Sequence, residues 1–310
     1  MNESFSGKWF RRVVLCMVTL CILVVSCRNA DPDEVFYGDT IRAECPTGQV
    51  LKYVVTNANT NTVELFGFGD KTFPGNGSLA IPGQIRYKGK NYAVVSIHKK
   101  SFRGCDSITD VTIDDNIPVI KKNVFKRCKS LKHVHLPASV TTVEHGLFAK
   151  CINLESVDIP AGVTVIGDAA FRKCGKLSVI KFPDSLKRVQ YEAFYGCSSL
   201  KSIVLPDGVD TVCQRAFGNC RSLVSLQLPR SLRFIGDNAF MECESLKEIM
   251  LPDGVNHIGD AAFCGCASLR VVRFPKSLKH IGSWCFWGCA NLSSAHLPGS
   301  VEEVGLHAFE

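Results

Sequence analysis

Apolar residues return every 23 positions over the last two thirds of the chain. Phe stands at 102, 125, 148, 171, 194, 217, 240, 263, 286 and 309, and Cys follows three residues later at 105, 128, 151, 174, 197, 220, 243, 266 and 289. Leu holds 131, 154, 177, 200, 223, 246, 269 and 292, and Pro holds 137, 160, 183, 206, 229, 252, 275 and 298. Four ladders with one spacing describe a single structural unit repeated nine times.

Within a unit the period is shorter. In Leu131-Lys132-His133-Val134-His135-Leu136 the pair Val134 and Leu136 alternates with His133 and His135, as Ile203 and Leu205 alternate with Ser202 and Val204. A period of two predicts a short strand with one buried face, which the Pro then stops because it has no N–H for the ladder. A second apolar pair follows (Val140 and Val143, Val255 and Ile258), often with Gly next, as at 167, 236, 259, 282 and 305. This predicts a second extended piece. The Ala-Phe pairs at 170–171, 193–194, 216–217, 239–240 and 262–263 then drive a ring inward, before a tight turn or one helical turn that closes on the Cys. A period between 20 and 29 with this string predicts a solenoid of leucine-rich-repeat type, mostly β with short helical or irregular turns, each coil adding ~4.8 Å.

Residues 96–310 form this array, and residues 27–95 lack the period. Alternating stretches such as Leu51-Lys52-Tyr53-Val54-Val55 and Thr62-Val63-Glu64-Leu65 predict a β-rich N-terminal cap, with Leu79-Ala80-Ile81-Pro82 and Val94-Val95-Ser96-Ile97 as degenerate first coils. The sequence stops one residue past Phe309, so the last coil is incomplete and its edge is expected to be bare.

Residues 1–26 have the order of an export signal. Lys8, Arg11 and Arg12 precede an apolar run from Val13 to Val25 broken only by Thr19, and this run falls short of the ~20 residues a spanning helix needs. With that segment removed the chain carries 33 basic and 28 acidic residues, a net of +5. So mild an excess over so long a surface does not point to nucleic acid.

Of the sixteen Cys, nine form the ladder. Nine equivalent sites facing one way offer no unique pairing, and beside a buried Phe a thiol serves as a small hydrophobe, so reduced and packed thiols are expected. Cys264-Gly265-Cys266 and Cys285 with Cys289 lack a second close pair, so no metal is expected. His133, His135, His257, His280 and His296 read as scattered over different coil positions without a carboxylate at fixed spacing. No phosphate loop or nucleophile motif occurs, and neither catalysis nor a cofactor is expected.

The residues between the buried strand pair vary freely. One outward row is His133, Ser156, Val179, Ser202, Ser225, Glu248, Val271 and Ser294; the next is His135, Asp158, Lys181, Val204, Gln227, Met250, Arg273 and His296. A variable face over constant inward positions suits a modular binding surface, and it equally suits an ordinary solvent face. After the Pro, Ser-Leu units (Ser185-Leu186, Ser231-Leu232, Ser277-Leu278) alternate with Gly-Val units (Gly208-Val209, Gly254-Val255), a period of 46. The Ser-Leu units bring Lys187, Arg188, Arg230, Arg233, Lys276, Lys279 and His280 and the Gly-Val units Asp207, Asp210 and Asp253, so exposed ion pairs between neighbouring coils are expected.

These residues resemble the BspA-like leucine-rich repeat family of bacterial surface proteins, strongly over 96–309. Asp114 in place of Pro, Ile108 in place of Leu, Cys213 in place of Gly and Cys285 in place of Ala are the departures. Val24-Val25-Ser26-Cys27 likewise resembles a lipoprotein cleavage site, which implies lipidation at Cys27, and the acidic Asp31, Asp33 and Glu34 resemble a surface-export patch of the Bacteroidota type. Together the resemblances imply a non-catalytic protein lipid-anchored at the outer membrane and exposed on the cell surface, where it binds host matrix proteins or other cells. Its expected face holds His135, Asp158, Lys181, Gln227, Arg273, His296 and Lys276, with an extracellular protein rather than nucleic acid or a small molecule as ligand. Two alternatives stand beside this: a glycan-capturing component of a nutrient-uptake system, using Tyr191, Tyr195, Phe234, Trp284 and Trp287, and a structural envelope protein.

Overall fold

The computed structural model describes residues 34–69, 77–293 and 295–310. The segment expected to be an export signal, and Cys27, lie outside the described residues.

The N-terminal strands are β1 (Thr40–Glu44), β2 (Val50–Asn57), β3 (Thr62–Phe68), β4 (Ser78–Ile81), β5 (Gln84–Tyr87) and β6 (Lys90–Ile97). Five of them form a mixed sheet in the order β1-β2-β3-β6-β5, in which β3 and β6 run parallel. Its alternating residues (Leu51, Tyr53 and Val55; Val63 and Leu65) are buried. The N-terminal strands lead into the solenoid at two parallel backbone pairings, one from this sheet and one from β4. Ile97 at the end of β6 bridges Ile120 in parallel, and β4 pairs in parallel with β7 (Asp110–Ile113) through Ile81 and Ile113. Glu64 ties the junction: its carboxylate accepts from Ser96 Oγ at 2.9 Å and pairs with Lys121 Nζ at 2.5 Å and His98 Nδ1 at 3.2 Å. Burial pushes this carboxyl up, but the bonds from Lys121, Ser96 and His98 outweigh it and hold the group below its ordinary value.

Beyond β7 the coils alternate a three-residue and a two-residue strand: β8 (His133–His135), β9 (Thr142–Val143), β10 (Ser156–Asp158) and β11 (Val165–Ile166). There follow β12 (Arg188–Val189), β13 (Ser202–Val204), β14 (Thr211–Val212), β15 (Ser225–Gln227) and β16 (Phe234–Ile235). The last are β17 (Glu248–Met250), β18 (His257–Ile258), β19 (Val271–Arg273), β20 (His280–Ile281) and β21 (Glu303–Val304). Partners sit 23 residues apart, as in Val134 with Val157 and Ile258 with Ile281. The two-residue strands make one continuous eight-stranded parallel sheet from β9 to β21. The three-residue strands do not. They fall into a four-stranded group, β10-β8-β7-β4, and two separate pairs, β13-β15 and β17-β19.

The Phe segment is an irregular turn, and no helix occurs among the described residues. Its alternating bonds explain why. Ala169, Phe171 and Lys173 send their N–H groups to the next coil, to the carbonyls of Tyr191, Ala193 and Tyr195 at 2.7–2.8 Å, while Ala170, Arg172 and Cys174 bond three residues back. A helix directs every N–H along its own axis and cannot serve both directions. The alternation requires left-handed residues on either side of the Phe. Two before it, φ is +52 to +66° from Lys100 to His307, and two after it φ is +59 to +76° from Gly104 to Gly288.

This geometry stacks ten Phe rings, from Phe102 to Phe309, at centroid spacings of 4.9–5.9 Å. The ladder thiols lie against this column. Each Sγ from Cys128 to Cys289 donates to the carbonyl of the Phe 26 residues earlier, at 3.0–3.4 Å. The thirteen cysteines among the described residues are all free, and burial pushes the Cys197 thiol up to about 12.

Truncating one ring removes stacking on both sides, so Phe217→Ala should cost about 3–5 kcal/mol. The half-exposed terminal Phe309→Ala should cost far less. Chemical denaturation of the two variants checks this, and equal losses would contradict a continuous column.

Candidate binding surfaces

His135 and Asp158 end β8 and β10 on the outward side and face each other at 3.5 Å. Gln227 and Arg273 end β15 and β19 in the same way, and Lys276 stands exposed on the corner after Pro275. Lys181 and His296 are exposed as well, but their segments form no strand. The seven sequence-selected residues therefore share one side of the array without sharing one sheet.

The break between β15 and β17 opens this side. Val224 N–H bonds Lys201 O at 2.9 Å and Arg270 N–H bonds Lys247 O at 2.8 Å, while no equivalent bond joins Lys247 to Val224. Leu226 and Leu228 become partly exposed there, although their counterparts Ile203, Leu205, Ile249 and Leu251 are buried. A cleft of about 1080 Å³ lies over them. Val204 (55% exposed) and Met250 (60%) flank it, and Asp207, Arg230, Lys247 and Glu248 make its rim. Sequence reading could not find this cleft, because Leu226-Gln227-Leu228-Pro229 has the same pattern as Ile203-Val204-Leu205-Pro206.

Of the expected ion pairs between neighbouring coils, one forms at the end of the array, where Lys279 Nζ meets Glu302 Oε1 at 2.5 Å; elsewhere the 46-residue alternation goes with packing. Among the described residues, neither Lys187, Arg230, Arg233 nor Lys276 has a carboxylate side-chain partner within 4.0 Å. Instead the Ser hydroxyls of the Ser-Leu units donate to the preceding coil, Ser185 to Val163 O, Ser231 to Val209 O and Ser277 to Val255 O, at 2.6–2.7 Å. The Gly of the Gly-Val units makes room for a long cation one coil back. A Cβ on Gly254 would lie 1.8 Å from Arg233 Nη1, and one on Gly208 2.9 Å from Lys187 Nζ.

The histidines also differ from the sequence reading. His257 and His280 occupy one position of successive coils, 23 residues apart, and stack at 4.4 Å, with Phe234 stacked at 4.4 Å on the other side of His257. Glu303, the next residue in this row, meets His280 Nδ1 at 3.0 Å. Burial and then the charge of His280 lower the pKa of His257, against the opposing pull of Asp237, Asp260 and Glu303. Among the described residues no group of three or more His, Cys, Asp or Glu is arranged to hold a metal ion.

The coil geometry defines a leucine-rich-repeat solenoid. A family model described as BspA type leucine rich repeat region (6 copies) matches residues 95–224 and 188–310, and the chain belongs to that family. Among curated proteins none matches. Among the similar solved structures are three leucine-rich repeat proteins. A leucine-rich repeat protein from Bacteroides ovatus is 25% identical, with 78% of this chain and 91% of that one covered and a TM-score of 0.37. A leucine rich cell surface protein from Faecalibacterium prausnitzii is 22% identical, with 82% and 94% covered and a TM-score of 0.40. The leucine-rich repeat protein of T. pallidum is 24% identical, with 81% and 91% covered and a TM-score of 0.42. The family points to protein interaction rather than catalysis.

The His row carries a pH consequence. A lowered folded pKa at His257 means that its contribution to stability is fully present above the ordinary value of 6.5 and is lost as pH falls through the lowered one. Thermal unfolding should therefore move to lower temperature between about pH 7 and pH 5, and His257→Gln should reduce that slope. Identical slopes in the two proteins would show that the stacked pair does not resist protonation.

Proposed function

We propose that this protein is a lipid-anchored, surface-displayed interaction protein, held through Cys27, whose three-residue-strand side binds an extracellular protein of the host matrix or of another cell. The observation that carries this reading is the cleft between β15 and β17. Apolar Leu226 and Leu228 lie beneath it, Val204 and Met250 flank it, and Asp207, Arg230, Lys247 and Glu248 make its rim, the arrangement of apolar centre and charged rim on which protein interfaces concentrate their affinity. His135, Asp158, Lys181, Gln227, Arg273, His296 and Lys276 extend the same side and supply charge for steering. The leader sequence supports export and acylation, and two or more acyl chains suffice for stable anchoring.

Binding of the protein to purified matrix glycoproteins tests this. Saturable, salt-sensitive binding is expected, weakened about tenfold or more by Val204→Asp with Met250→Asp and several-fold by charge reversal at Lys181, Arg273 and Lys276. Binding that survives both sets of changes would place the interface elsewhere. Metabolic labelling with a fatty acid checks the anchor, and label retained in Cys27→Ala would refute it.

A further inference from the structure

The edge formed by the Phe turns has a charge asymmetry that the binding side does not share. In the first four turns, residues 98–106, 121–129, 144–152 and 167–175, Lys and Arg number eleven against three Asp and Glu. In the next four, residues 190–198, 213–221, 236–244 and 259–267, they number two against five. The basic half is also stacked. Arg127, Lys150 and Lys173 take the same place in successive coils, joined by backbone bonds from Arg127 N–H to Ala149 O and from Lys150 N–H to Arg172 O at 2.7–2.8 Å, so like charges repeat at one strand spacing, ~4.8 Å. A Cβ on Gly196, the next residue of this row, would lie 3.2 Å from Lys173 Cγ, which shows how directly the rungs overlie.

Arg127, Lys150 and Lys173 are left-handed, with φ of +67, +66 and +61°, at a position that other coils fill with Gly104, Gly196, Gly265 and Gly288 or with Asn219 and Glu242. The charges of the basic row are not neutralised. Among the described residues Arg103, Lys126, Arg127, Lys150 and Lys173 have no carboxylate within 4.0 Å, whereas Lys129 pairs with Asp106 and Arg172 with Glu192. Burial lowers the pKa of Lys126, and the charges of Arg103, Arg127, Lys150 and Arg172 lower it further. Like charges stacked at one place without an internal carboxylate partner point to an external anion.

We propose that the row Arg127, Lys150 and Lys173, with Arg103 and Lys126 beside it, binds a linear polysaccharide carrying sulfate ester groups, laid along the solenoid axis. A shallow cleft of about 510 Å³ gives it a seat, lined by Arg127, Lys150, Ile152 and Lys173 and, at one end, by Lys129 with the Asp106 carboxylate it pairs with. The repeat suits a polymer with regularly spaced anions, and sulfate esters stay charged at every physiological pH. Single-stranded nucleic acid fits less well, because it needs free aromatic platforms and the neighbouring ring, Tyr195, is already under the Arg172 guanidinium at 5.5 Å. Ile152 is the exposed large apolar residue lining the cleft, which is too little for membrane insertion or for the apolar centre of a protein interface.

The test is retention of the full chain, in mild detergent, on immobilised dextran sulfate and on uncharged dextran. Binding to dextran sulfate alone, weakening with added salt, is expected. Replacing all three row residues by Gly keeps the left-handed backbone that sibling coils already build with Gly, and should weaken retention about tenfold or more with no fall in thermal stability. Charge reversal at Lys181 and Arg273 on the strand side should leave it unchanged. The proposal is overturned by failure to bind at low salt, by equal retention of the triple Gly variant, or by loss confined to the strand-side variant. It is also overturned if polyphosphate, a single-stranded oligonucleotide or anionic vesicles displace the protein at lower concentrations than dextran sulfate does. The strand-side reading is independent of every one of these outcomes.

Discussion

The hydrogen bonds that pass from one Phe turn to the next are the constraint on which the rest of the molecule depends. Every second N–H in the turn must point along the solenoid axis, and this fixes the left-handed residues on both sides of the Phe, the stacking of the rings and the place of the Cys. The thiol placed in this way donates to a Phe carbonyl one coil back and fills the space beside the ring. With the neighbouring two-residue strands, which pair without interruption from β9 to β21, these turns form a continuous spine. No coil can bury its apolar face alone, so stability is shared among neighbours along that spine.

The opposite side is under weaker control. Its three-residue strands pair in separate groups, and at the β15/β17 break the backbone bonding lapses and Leu226 and Leu228 reach the surface. A spine that holds the array without help from this side leaves the strand side free to vary in sequence and to open locally. Recognition has room there, because changing an outward residue such as Gln227 or Arg273 disturbs neither the Phe column nor the continuous sheet.

Much of the fold was legible in the sequence because identical packing problems recur in every coil and are solved by identical residues: Phe inward, Cys beside it, Leu and Pro at fixed offsets. The turn conformation was not legible. Its left-handed positions hold Gly, Asn, Lys, Arg, Glu, Ala, Trp and His in different coils, so no residue type marks them. The cleft was hidden for a related reason, since the segments beside it carry the ordinary apolar alternation. The stacked His257 and His280 were within reach, because they differ by the repeat length, and only placing each residue on its rung brings them together with Phe234 and Glu303. The Gly-Val units were visible as a pattern, but the long cations of the preceding coil that lie against Gly208 and Gly254 show only in the structure.

Backbone hydrogen exchange resolved to single residues tests this division between a continuous spine and an interrupted strand side most directly. The amides of Phe194, Phe217 and Phe240, each bonded to the next coil, should exchange slowest and with similar protection, while the amide of Lys247, which lacks the bond to Val224, exchanges much faster. Protection at Lys247 equal to that of the Phe turns, or a sharp drop in protection between Phe217 and Phe240, would contradict it.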